Sequence, residues 1–303
     1  LADGDHAIHS TADPFNRKME TNEGNNTGVT QFQIRNGQLV GSTDLGPYCA
    51  AKPLSVPVGG TVYLSCERLT PNAAYDLRWR YENGAPVTEA VANEKGELYA
   101  EFVMPPSTRG AHYAFITDEE GNTERAVVDT AAAFTLGAVS GRVGQKIPFT
   151  IDGFSSNQRV TIGYEQTAPA FVSVVTVTTN SQGSATGQFV VPSSKLGSHR
   201  VQAAPSGGSA IIASFSVVPE LKLSPTSVQA GGKVRPWMRG FGQRDAVVLK
   251  IQETGKTLKT VTVSNTGAVS PSLNTEFTIP ANLTPGVYRI VGAGPSGATA
   301  VAE

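Results

Sequence analysis

Internal repetition constrains this chain more than any other feature. Four landmarks recur in the same order in three copies, at a spacing of about 84–89 residues. The first is a glycine opening a strand: Gly60 in VPVGGTVYLSCERL, Gly144 in GRVGQKIPFTIDGF and Gly232 in VQAGGKVRPWMRGF. The second is a polar hairpin turn that ends in Gly96, Gly183 or Gly267. The third is a proline closing the next strand, at Pro105, Pro192 and Pro280. The fourth is a glycine that starts a late strand, at Gly110, Gly197 and Gly286. Glycine accepts the positive φ that tight hairpins need, and proline ends a strand because it cannot donate to the ladder.

Between the landmarks the residues alternate. Tyr75, Leu77, Trp79 and Tyr81 are expected on one face, with Asp76, Arg78, Arg80 and Glu82 on the other. Val160, Ile162 and Tyr164 repeat the pattern, as do Val247, Leu249 and Ile251. Period-2 patterning with one apolar face marks a half-buried antiparallel strand. About seven such runs per copy match the size and strand number of an immunoglobulin-like β-sandwich. Trp79 follows Cys66 by 13 residues, like the strand-C tryptophan of that fold, but Tyr113 and Phe115 occupy the region of the usual second cysteine. The expected fold class is all-β: tandem immunoglobulin-like sandwiches at 46–129, 130–218 and 219–303, preceded by a β-hairpin segment at 1–45. The links are short, which favours a semi-rigid array.

Composition narrows the class further. The net charge is −1 with no basic stripe, which excludes a nucleic-acid partner. No apolar run reaches the length of a membrane span, and the most apolar stretch, 210–218, is interrupted by Ser214 and Ser216. The chain opens on Leu1-Ala2-Asp3-Gly4, without a charged and apolar leader, and reads as processed or as part of a longer polypeptide. Its two cysteines, Cys49 and Cys66, fall in neighbouring strands of one expected hairpin. They form either a disulfide, worth about 3 kcal/mol on the loop-entropy account, or two buried thiols. Their placement favours the disulfide.

Residues 1–44 do not fit the repeat. Two short strands at 7–12 and 29–34, joined by a Pro/Asn/Gly-rich connection, read as a hairpin that must pack on something else. Leu1-x-x-Gly4, Asp13-Pro14, Glu20 to Thr27 and the closing strand together resemble the end of bacterial CARDB-type adhesion domains. A related pattern closes the catalytic domain of lysyl-oxidase-like proteins. The first resemblance implies a secreted or surface-attached bacterial protein. The second implies an upstream copper enzyme, whose histidine cluster His6 and His9 alone do not reproduce. The three repeats are similar, more loosely, to the modules of bacterial surface-layer and adhesion proteins, through Gly153-Phe154 and Gly240-Phe241.

No nucleophile motif, zinc signature or phosphate loop is present, so no catalytic, cofactor-binding or metal residue is assigned. His112 and His199 sit at equivalent positions, which points to structural roles. Calcium is the best cation candidate. Residues 118–124 concentrate oxygen ligands, with Asp118, Glu120, Asn122 and Glu124 as the set to test. Asp3, Asp5, Glu20 and Glu23 form a second acidic cluster, and Asn25 and Asn282 match the glycosylation pattern. Trp237, Phe241 and Phe154 are the aromatics to examine for glycan contact, against a core role for Trp237. The expected function is a non-catalytic, extracellular structural protein: a cell-surface rod, surface-layer or filament subunit. Its partners would be copies of itself or neighbouring surface proteins, met through edge strands and the N-terminal hairpin. The alternatives are an adhesin-type module for glycans or proteins, and an accessory region of a larger secreted enzyme.

Overall fold

The computed structural model describes residues 4–11, 27–35 and 38–39 at the level of the backbone and residues 47–302 in full. The fold is all-β, a tandem of immunoglobulin-like sandwiches preceded by a small antiparallel sheet. That sheet pairs Gly4–Thr11 with Thr27–Arg35, from Gly4↔Ile34 to Thr11↔Thr27, and adds Gln38–Leu39. The chain divides into two compact units. One holds Leu1–Leu54, Val62–Phe102 and His112–Val128; the other holds Ser55–Thr61, Val103–Ala111 and Asp129–Glu303. The division passes through the first sequence repeat, and the second and third repeats share one unit.

In the first unit, Tyr48–Lys52, Thr61–Glu67 and Leu98–Val103 form one sheet. Thr123–Ala131, Gly110–Asp118, Ala74–Trp79 and Pro86–Val91 lie side by side in another. Tyr75, Leu77 and Trp79 are buried, as alternation requires. Tyr81 departs from the expected face and is 64% exposed, because the strand ends at Trp79 and Arg80 turns left-handed at φ 69°.

The second unit repeats the plan twice. Ala133–Leu136, Lys146–Asp152 and Ala185–Val190 face a sheet of order Ser140–Gly141, Ile211–Val217, Gly197–Pro205, Arg159–Thr167 and Ala170–Thr178. Phe149, Ile151, Val160, Ile162, Tyr164 and Phe215 fill the space between them. Glu220–Ser224, Lys233–Arg239 and Phe277–Thr278 likewise oppose Thr257–Thr262, Ala246–Ile251, Ile290–Ala293 and Thr299–Ala302. Val247, Leu249 and Ile251 are fully buried there with Met238 and Phe241.

The polar-turn landmark has a mechanical explanation. The side-chain oxygen of Asn93 accepts the N–H groups of Lys95 and Glu97; Asn180 does the same for Gln182 and Ser184. Ser264 substitutes its hydroxyl for the amide, toward Thr266 and Ala268. Such local side-chain bonds replace the ladder where the chain reverses. Each turn then presents the carbonyl of its glycine inward. Gly96, Gly183 and Gly267 accept the N–H of Leu69, Phe154 and Phe241 respectively, at 3.0–3.1 Å. The strand-opening landmark is shifted by one residue from its sequence assignment in two copies. Gly59, Gly144 and Gly231 are the equivalent positive-φ residues, and each donates to the residue after the third strand of its sheet: Met104, Val191 and Ile279.

The turn glycines are held by sterics as well as by φ. A Cβ on Gly267 (φ 68°) would run into the carbonyl oxygen of Phe241, whereas a Cβ on Gly255, at the same φ, meets open space. Gly255→Ala is expected to cost about 1 kcal/mol for the left-handed backbone. Gly267→Ala should cost about 1–3 kcal/mol more, through displacement of Phe241 from the core. Urea unfolding midpoints of the two variants check the difference.

Candidate functional site

The sequence-nominated residues come to different ends. Asp118 is buried, and its carboxylate accepts the backbone N–H of Asn122 at 2.7 Å and its side-chain amide at 2.8 Å. Both oxygens therefore hold a hairpin turn. Glu120 is exposed beside them, and burial raises the Glu124 carboxyl, with Arg125 opposing. Among the described residues, no group of three or more His, Cys, Asp or Glu side chains converges as a metal site. Asp3, Asp5, Glu20, Glu23, Asn25 and the side chains of His6 and His9 lie outside the residues described in full. Asn282 lies exposed in a loop.

His112 and His199 each pack on the aromatic residue of the adjacent core strand. His112 meets Trp79 edge-on at 5.6 Å, and His199 stacks on Tyr164 at 5.2 Å. The buried His199 ring also lies 2.9 Å from the carbonyl oxygens of both Glu165 and Lys195. Burial pushes the Tyr164 hydroxyl up to about 12, and it pairs with Ser194 at 3.0 Å. These are structural positions.

The aromatic candidates are corrected by the structure. Phe154 and Phe241 are core residues, 3% and 0% exposed, because each is pinned inward by its turn glycine. Trp237, expected in the core, is only half-buried. Its neighbours Pro236 and Met238 turn inward, which puts it on the outer face between Lys222 (4.8 Å) and Arg239 (4.2 Å).

Tyr48, Tyr63 and Tyr99, which were not among the sequence candidates, form the more open aromatic surface. On the first sheet Cys49, Ala51, Leu64, Cys66, Leu98 and Phe102 turn inward, and Cys49 and Cys66, directly opposed, are joined by a disulfide (S–S 2.05 Å). The outward positions are therefore Tyr48, Ala50 and Lys52, then Tyr63, Ser65 and Glu67, then Tyr99 and Glu101. With Leu64 and Ala100 they line a cavity of about 430 Å³, in which the small Ala50 and Ser65 are cross-strand neighbours. Tyr63 and Tyr99 are 55% and 70% exposed. Burial raises the Tyr48 hydroxyl, and the charge of Glu67, its cross-strand partner, adds to the effect. Flat apolar rings beside carboxylates and an amine can stack on a ring and bond its hydroxyls.

A second recurrent arrangement joins successive repeats within the second unit. The N–H of Arg109 donates to the carbonyl of Phe154 at 3.2 Å, and the N–H of Leu196 donates to the carbonyl of Phe241 at 2.9 Å. Each donor immediately precedes the late-strand glycine of its repeat, Gly110 or Gly197. Leu196 also packs against the core of the third repeat. Ser193 donates to Thr266 at 3.1 Å, and Arg142 pairs with Glu220 at 3.5 Å. Gly153 and Gly240 permit this proximity, since a Cβ on either would strike the backbone of the preceding link.

No family model matches the chain, and no curated protein matches it. Solved structures similar to it include a tetra-tandem repeat from the extending region of a large adhesion protein (17% identity, 84% of this chain and 73% of that one, TM-score 0.29). The Escherichia coli adhesin FdeC matches at 16% identity over 87% of this chain and 99% of its own, with a TM-score of 0.25. The Yersinia pseudotuberculosis adhesin InvE matches at 13% identity over 70% and 66%, with a TM-score of 0.27. At these scores the likeness says nothing of role, and the fold class rests on the sheets described above.

Two carboxylates in the second unit set its acid response. Hydrogen bonds from Arg200 hold the Glu165 carboxyl below the usual range (2.6 and 3.0 Å), and Lys233 followed by Arg235 does so for Glu276. A depressed carboxyl contributes stability that is present above the unfolded glutamate pKa of about 4.3 and is lost as the pH falls through the folded value. Thermal melts from pH 6 down to about pH 3 should show a falling midpoint. Glu165→Gln and Glu276→Gln should each flatten that fall.

Proposed function

We propose that this chain is a non-catalytic stretch of a secreted, surface-displayed protein, a stalk or assembly subunit whose sandwiches span 46–129, 130–218 and 219–303. The observation that carries the reading is the repeated joint: Arg109 to Phe154 and Leu196 to Phe241, the same main-chain atoms at the same place in successive repeats. A joint that recurs suits a part whose task is to space and orient modules. The Cys49–Cys66 cystine supports display in an oxidising compartment. Neighbouring surface proteins or further copies would meet it along edge strands such as Pro86–Val91 and Ala170–Thr178. Protease treatment of intact source cells should release peptides of this chain, with Cys49 and Cys66 still linked. Recovery only from the soluble interior, with both thiols open to alkylation, would sink the proposal.

The tyrosine face favours a second reading, an adhesin-type module that binds a glycan. Tyr63→Ala with Tyr99→Ala should lower retention on a responsive glycan surface by about tenfold or more, as the loss of two stacking contacts predicts. Unchanged retention, or no response across a broad glycan panel, counts against it.

A further inference from the structure

Charge is divided unevenly between the repeats. Residues 46–129 carry 12 acidic and 7 basic side chains, whereas residues 219–303 carry 5 acidic and 9 basic. Part of the basic excess gathers on one sheet face of the third repeat. Lys222 points outward on Glu220–Ser224, and Lys233, Arg235, Trp237 and Arg239 point outward on the neighbouring strand. Register sets Lys222 opposite Trp237 and Glu220 opposite Arg239. Spacing along the chain does not reveal this surface, because two strands and Arg142 of the second repeat contribute to it.

The acids lie at the base of this face and the cations stand above them. Glu220 is shared by Arg142 at 3.5 Å and Lys222 at 3.0 Å. Glu276 is shared by Lys233 at 2.9 Å and Arg235 at 3.1 Å. The two carboxylate side chains are 10% and 13% exposed, and those of the four cations 43–69%. Arg239 is a fifth cation, held over the Trp237 ring together with Lys222. Five cations over two carboxylates leave the face positive, and the acids fix the cations in place without cancelling them. The indole already carries two of these cations, so it steadies the charge instead of offering a bare ring to a sugar or a base.

The first repeat presents the complement on the corresponding sheet. Its strands Tyr48–Lys52, Thr61–Glu67 and Leu98–Val103 match Glu220–Ser224, Lys233–Arg239 and Phe277–Thr278 in plan. Glu67 and Glu101 line the same cavity as the exposed rings of Tyr63 and Tyr99. Carboxylates receive arginine and lysine by ion pairing, and tyrosine faces receive them by cation–π contact.

We propose that the basic face of the third repeat docks on the tyrosine face of the first repeat of a second copy. This deepens the assembly reading and rests on it, naming sheet faces rather than strand edges as the meeting place. It also gives the tyrosine face to a copy instead of a glycan. The two faces are different surfaces of one chain, so each copy that docks brings a further face of each kind and the contact can propagate. Complementary charge would steer the encounter and make it sensitive to salt.

Sedimentation of the full chain tests the proposal. The average mass should rise with protein concentration at about 20 mM salt and return to that of the monomer near about 0.5 M. Lys222→Gln with Arg239→Gln should weaken association about tenfold or more, and so should Glu67→Lys with Glu101→Lys. Each of these double variants keeps one intact face, so mixing the two should restore a complex that neither forms alone. Carbodiimide cross-linking of isotope-labelled with unlabelled copies should join Lys222 or Lys233 to Glu67 or Glu101. A chain that stays monomeric at low salt overturns the proposal, whatever polyanion the basic face then binds. Association that salt and both double variants leave unchanged also overturns it, while leaving assembly through edge strands intact. Recovery of the chain only from the cell interior, with the mixed variants still associating, would sink the display reading and leave this one standing.

Discussion

Everything in these sandwiches depends on one main-chain pin: the bond from Leu69, Phe154 or Phe241 to the carbonyl of its turn glycine. The pin joins two loops at one end of a sandwich. Where the pinned residue is phenylalanine, it turns a ring into the core, and its own carbonyl accepts the N–H of Arg109 or Leu196. Interior packing and the connection between repeats thus share a single residue. The turn side chains Asn93, Asn180 and Ser264 stand behind it, since without their bonds the glycine carbonyl would not be aimed. A buried backbone group left unpaired costs about as much as a lost hydrogen bond, which is why each step of this relay is completed.

Much of the fold was legible in the residues. Val160, Ile162 and Tyr164, and Val247, Leu249 and Ile251, alternate cleanly, and all are fully buried. Alternation failed where the backbone left the strand. Tyr81 follows a left-handed arginine, and nothing in residue spacing announces that turn. The misplacement of the strand-opening glycine has a similar cause. In Gly59-Gly60 and Gly231-Gly232 two glycines compete for one role, and only φ separates them.

The site was less legible. Phe154 and Phe241 looked like candidates because an aromatic after glycine in a loop reads as exposed; the pin that buries them is a backbone bond without a sequence signature. A tryptophan reads as core by its size, but the parity of Trp237 relative to Pro236 and Met238 places it outward. The tyrosine face was readable in the same way. Tyr48, Tyr63 and Tyr99 each stand one residue from an inward partner, Cys49, Leu64 and Leu98. What spacing could not supply was which three strands lie adjacent, and adjacency is what makes three separate tyrosines one surface.

The joint between repeats also bears on how such a chain can change over generations. Its donor is a peptide N–H, which every residue but proline carries, and its acceptor is a peptide carbonyl, which every residue carries. Arg109 and Leu196 share no chemistry in their side chains, yet they make the same bond. A duplicated repeat would arrive with its connector already functional, needing no partner residue to change in step. Surfaces could drift and copies could be inserted or lost while the connector stayed the same.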